Sequence, residues 1–127
     1  MTLSINTNLA AIRDHEGAHV DVLTQVITDL GGEPVEEATY DFGVTDAATF
    51  LATAAALENT GVSAYDGAGA SIQNTDLLAV AGQIVAVEAR HASYLNLVNG
   101  EVPFPDSFET PLSPDEVLEI AGPFIQS

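Results

Sequence analysis

Two copies of Glu-x-x-His, Glu16-Gly17-Ala18-His19 and Glu88-Ala89-Arg90-His91, with a lone Glu58 between them, are the residues of this chain best placed to do chemistry. On a helix, residues three apart share a face, so each pair aims one carboxylate and one imidazole at a common point. Helix bundles hold metals internally in this way. The chain has no Cys, which excludes disulfides, thiolate ligation and Cys nucleophiles. Any metal is therefore held by oxygen and nitrogen donors, a set that suits iron, manganese or zinc. No Ser or Thr has a His and an acid at a spacing suggestive of a nucleophile, and no catalytic residue is assignable from the sequence.

The elements that would position these donors are read from periodicity. Leu9, Ile12, Glu16, His19, Leu23, Val26 and Leu30 recur at alternating three- and four-residue steps, the apolar stripe of an amphipathic helix over about 8–30. Ala47, Leu51, Ala54, Glu58, Gly61, Tyr65, Ala68 and Ile72 form a second stripe over 46–72. Leu77, Ala81, Ile84, Glu88, His91, Leu95 and Val98 form a third over 75–98. In each stripe a potential metal ligand occupies a position that should enter the core.

Burying carboxylates is costly unless positive charge meets them. The chain has no Lys, and apart from His its cationic side chains are Arg13 and Arg90, at the same depth as the carboxylates. Two buried Arg–carboxylate pairs are thus the alternative to a metal. Two arginines leave the third carboxylate and both imidazoles unexplained, whereas a bound cation accounts for all five.

Gly31-Gly32 closes the first helix and Pro34 prevents its continuation. The stretch 31–44 reaches roughly 45 Å when extended, against about 30 Å for a twenty-residue helix. It is long enough to run the length of a bundle and start the second helix parallel to the first. Thr45 or Asp46 can cap the second helix and Asn74 or Thr75 the third. The short turn near Gln73-Asn74 makes these two antiparallel neighbours. Glu58 lies about as far before this turn as Glu88 and His91 lie after it, so the three side chains arrive at nearly one height. After Asn99-Gly100 comes a Pro-rich tail, 99–127, with a short helix from Pro114 to Ala121 capped by Ser113. It is expected to pack through Phe104, Phe108, Leu112, Leu118 and Phe124.

At 127 residues and 46% hydrophobic, the chain suits one domain, 1–127, with a real core. A formal net charge of -17 argues against nucleic acid or an anionic membrane as partner. Screening by concentrated salt relieves such self-repulsion, because the Debye length falls to about 3 Å near 1 M. With the missing Lys, this reads as adaptation to high salt. No run is long enough to span a membrane, and no basic start followed by an apolar stretch marks export. The expectation as written is cytoplasmic, with export left open if the N-terminus lies upstream.

The segments His15-Glu16-Gly17-Ala18-His19-Val20, Tyr40-Asp41-Phe42-Gly43, Leu57-Glu58-Asn59-Thr60-Gly61-Val62 with Tyr65, and Val87-Glu88-Ala89-Arg90-His91-Ala92 resemble the ferritin-like family that includes the desiccation-related proteins. The resemblance spans nearly all of the chain from about residue 9. It implies an all-α, ferritin-like helical bundle with three long helices, a long crossover between the first two and the Pro-rich tail. It further implies that Glu16 and His19 serve one metal, Glu88 and His91 another, and that Glu58 bridges or terminates. The family pattern's first helix, which brings another Glu, has no counterpart before residue 8. A homo-oligomer through the resulting groove is expected.

The functional expectation is a metal-binding ferritin-like protein, most simply iron-loaded, with iron-oxidising or related redox activity. The alternative is a non-catalytic, stress-associated scaffold that self-associates. His15, one step or about 100° from Glu16, reads as a rim histidine. Tyr65 reads as a core tyrosine with its hydroxyl satisfied, or as a hydrogen bonder beside the site. Gly61 reads as room for a ligand or for close helix approach. Gly67 and Gly69 should weaken the second helix locally.

Overall fold

The computed structural model describes residues 4–127. Its α-helices in chain order are α1 (Ile5–Asp29), α2 (Ala47–Gly69), α3 (Thr75–Val98) and α4 (Pro114–Ala121), followed by a 3-10 turn, Gly122–Phe124. Among the described residues there is no strand beyond one isolated bridge between Tyr40 and Ile125. The architecture is all-α, a helical bundle arrangement as expected. The chain divides into a first unit ending at Glu37 and a second, Ala38–Ser127.

The first unit is α1 and the extended residues after it. α1 starts four residues before Leu9, the first residue of its apolar stripe, because Ser4 caps it by accepting from the Thr7 amide at 3.2 Å. It ends as expected: Gly31 adopts φ +80°, and the Gly32 amide reaches back to the Ile27 carbonyl at 2.8 Å.

The second unit is built on the α2–α3 hairpin. Asp46 caps α2 in a reciprocal box with Thr49, and Asn74 caps α3 by accepting from the Asp76 and Leu77 amides. The five residues 70–74 between them allow only antiparallel neighbours. α2 ends at Gly69, not at 72, since Gly67 and Gly69 deprive the last turn of helix propensity. Among the described residues, the buried side chains lie along this seam: Ala55, Thr60 and Val62 from α2, and Ala81, Ile84, Glu88, His91, Ala92 and Leu95 from α3. Polar bonds reinforce it: Asn59 Nδ2 donates to Asn96 Oδ1 at 2.8 Å, and Asn99 Nδ2 donates to the Leu51 carbonyl at 3.0 Å.

The tail departs from expectation. α4 and its Ser113 cap are as read, with Ser113 and Glu116 forming a capping box. Phe104 and Phe108, however, are 77% and 89% exposed, and Leu118 is exposed too. Leu112 and Phe124 are half-buried as expected, and backbone bonds dock the tail beside them. The Leu112 amide donates to the Ser63 carbonyl at 3.0 Å, and residues 39–41 exchange three bonds with Phe124, Gln126 and Ser127. Phe42 lies between Tyr40 and Phe124, at centroid distances of 5.7 and 5.4 Å.

The caps set a pH dependence. Hydrogen bonds from the Thr49 backbone and hydroxyl hold the Asp46 carboxyl below its ordinary 3.8, and the Ser113 backbone and hydroxyl hold Glu116 below its ordinary 4.5. A lowered folded-state value means the stabilisation is complete above the ordinary carboxyl range and is lost as pH falls through the lowered values. Acid titration followed by helix circular dichroism should therefore show Asp46→Asn and Glu116→Gln shifting the acid transition slightly towards higher pH. At neutral pH, where that stabilisation is complete, both variants are expected to melt slightly below the parent.

Candidate metal centre

The site is built on α3. Its stripe is buried as the sequence reading expects, so the step from Ile84 to Glu88 to His91 to Leu95 carries both donors into the seam. Glu88 is 5% exposed, His91 6% and Leu95 0%. The short hairpin turn then sets the height of Glu58 on α2. Glu58 Oε2 stands 3.4 Å from His91 Nδ1, and donor atoms of Glu58, Glu88 and His91 all lie within 4.8 Å of one another. Two donors each about 2.1 Å from a single cation and roughly 110° apart would be separated by about 3.4 Å. Two carboxylates and an imidazole on this spacing fit a cation of the iron, manganese or zinc kind.

Gly61, one turn beyond Glu58, makes this possible. A Cβ there would stand 3.2 Å from Glu88 Oε2. The glycine thus leaves room for the Glu88 carboxylate itself. Gly61→Ala should improve the intrinsic helix propensity of α2 by about 1 kcal/mol while pressing on that carboxylate. Expected is unchanged or raised thermal stability without metal, together with metal affinity reduced several-fold in a calorimetric titration.

In the first unit, α1 places Glu16 and His19 on one face, with His19 Nδ1 3.5 Å from Glu16 Oε1. His15 is exposed, as read. The arginine alternative does not hold. Arg13 is 76% exposed and its guanidinium donates to Asp14 Oδ1 at 2.7 and 2.9 Å. Arg90 is exposed and lines a surface cleft with Asp106 and Glu109. Being two positions from Glu88, it sits about 200° around α3 from that carboxylate.

The sequence reading missed the Asn59–Asn96 amide pair, which flanks Glu58 and fixes the α2–α3 register. The signal for it was an Asn one step off the stripe in each helix. Tyr65 is half-buried on α2 two turns past Glu58, as a core tyrosine should be.

The family profile described as "Ferritin-like domain" matches residues 1–101. This chain belongs to that family. None of the curated proteins compared with the chain matches it. The match crosses both units and takes in α1, α2 and α3 whole, with every Glu-x-x-His and Glu58. The tail that carries α4 falls outside it. A ferritin-like domain with a carboxylate and histidine cluster of this spacing fits metal binding. No described helix is long and apolar enough to cross a membrane.

Proposed function

We propose that this ferritin-like protein binds iron through Glu58, Glu88 and His91 of the α2–α3 seam, with Glu16 and His19 of α1 completing the donor set. The observation that carries the reading is the mutual spacing of Glu58, Glu88 and His91 donor atoms at the buried centre of the hairpin. The role of α1 is supported by its matching Glu-x-x-His pair and by a family match that extends over both units. A single amphipathic helix also cannot bury its own apolar stripe, so α1 requires a bundle to fold against.

Iron held by carboxylate and imidazole would supply one-electron redox chemistry, and iron oxidation is the activity proposed for it. The protein's part is to fix donor number and spacing and to keep the surroundings apolar, which Leu95 and Ile84 do on either side of the α3 donors. Manganese and zinc are competing occupants of the same donors.

Anaerobic titration of the metal-free protein with ferrous iron tests the proposal. Saturable binding, with a thermal shift that grows with free iron, and a charge-transfer absorption on admission of air are the expected results. Protein that binds no iron, manganese or zinc would exclude the reading.

One observation favours a second reading. Phe42, Val44 and Phe50 are exposed around an apolar hollow of about 170 Å³ that Leu57 also lines. Patches of this kind mark interfaces, and a self-associating scaffold would use one. Sedimentation in molar salt discriminates: a strict monomer counts against association.

A further inference from the structure

A cleft of about 580 Å³ lies between α3 and the proline-rich segment that follows it, and the proposed metal centre makes no use of it. Its volume is that of a small-molecule site. Arg90 on α3 lines one wall and is the one Lys or Arg in residues 38–127. Asp106 and Glu109 line the wall contributed by the tail. Apolar surface is supplied by Leu97 and Phe104, 61% and 77% exposed. Asn59 and Asn96 also line the cleft, and their mutual hydrogen bond orients their amides.

Charge decides which ligand this suits. On a chain of net charge -17, a simple anion is repelled by the whole molecule and by Asp106 and Glu109 in particular. A simple cation finds carboxylates everywhere on such a surface and gains nothing from Arg90. A neutral molecule carrying both charges avoids the long-range penalty and can use both walls at once. Exposed aromatic and aliphatic side chains in the same cleft call for an apolar body on that ligand.

We propose that this cleft binds a small zwitterion of the amino-acid class. Its carboxylate faces the Arg90 guanidinium, its ammonium faces Asp106 and Glu109, and its apolar side chain lies against Phe104 and Leu97. Guanidinium and carboxylate match in planar, two-bond geometry, which makes Arg90 the orienting contact.

The test is titration of the full chain with L-phenylalanine, followed by calorimetry and by amide chemical shifts of α3, with 3-phenylpropionate and phenethylamine as single-charge controls. Expected is saturable binding of L-phenylalanine, at least about tenfold tighter than either control. Arg90→Gln should weaken it about tenfold or more, as should Asp106→Asn combined with Glu109→Gln, and thermal unfolding of these exposed-site variants should match the parent. Absence of saturable binding would overturn the proposal, as would equal binding of a single-charge control or an Arg90→Gln variant that binds as the parent does.

Discussion

Glu58→Ala is expected to lower iron affinity at least about 100-fold and to abolish the metal-induced rise in melting temperature. Changing groups that only orient metal ligands costs about 10- to 100-fold, so removal of a donor at the centre of the cluster should cost no less. The metal-free protein is expected to behave differently. Glu58 stands close to Glu88, and two negative charges at that spacing repel each other. Removing one relieves that repulsion, so unfolding without metal should occur at the parental temperature or above. This opposition of binding and stability is a signature of donors kept for a ligand. His91→Ala should share the loss of affinity. Because it also opens a void beside Leu95, a few kcal/mol of stability should go with it. Differential scanning fluorimetry with and without ferrous iron, under argon, reads both effects. A Glu58→Ala protein that gains as much from iron as the parent would remove Glu58 from the site.

The same experiment on α1 decides its contribution. If Glu16 and His19 complete the donor set, Glu16→Ala should weaken binding as Glu58→Ala does. If iron binds with parental affinity to that variant, the centre belongs to the hairpin alone.

The second large effect is expected at Gly67. A Cβ on this residue would run into the backbone of Leu112, its carbonyl oxygen above all. A flexible side chain could rotate away; a backbone carbonyl cannot. Helix propensity alone favours alanine by about 1 kcal/mol, but overpacking of this kind costs about 1–3 kcal/mol. The alternative to strain is release of the tail, with loss of the bond from the Leu112 amide to the Ser63 carbonyl. Gly67→Ala should therefore destabilise the protein and expose the segment around Leu112 to proteolysis. Gly82→Ala is the control. Gly82 lies within α3 with nothing near its absent Cβ, so alanine there should stabilise by up to about 1 kcal/mol. Thermal unfolding of the two variants should move in opposite directions. Gly67→Ala melting at or above the parental temperature would show that tail docking contributes little.

Much of the fold was legible because it is local. The α3 stripe was read correctly from Leu77 to Val98, since Glu88 and His91 stand out against apolar neighbours at a clear period of three and four. α2 was read less well. Its expected stripe through Ala54 and Gly61 lies beside the buried line through Ala55 and Val62. The run Ala52–Ala56 is apolar nearly all round and gives a moment little contrast to work with. Phe104 and Phe108 of the tail failed for another reason. In a segment broken by Pro103, Pro105 and Pro111 there is no period, so hydrophobicity alone suggested burial that Phe104 and Phe108 do not have.

By itself, then, the sequence determined which residues share a helical face and, through the short hairpin turn, that Glu58 meets Glu88 and His91. Both follow from a fixed rise and a fixed rotation per residue. Only the tertiary structure decided that Gly67 admits the Leu112 backbone, that Thr39–Asp41 pairs with the C-terminal residues, and that Arg90 faces a cleft and not a core carboxylate. Those contacts join residues far apart in the chain through backbone groups and side-chain directions, and no local pattern of hydrophobicity encodes them.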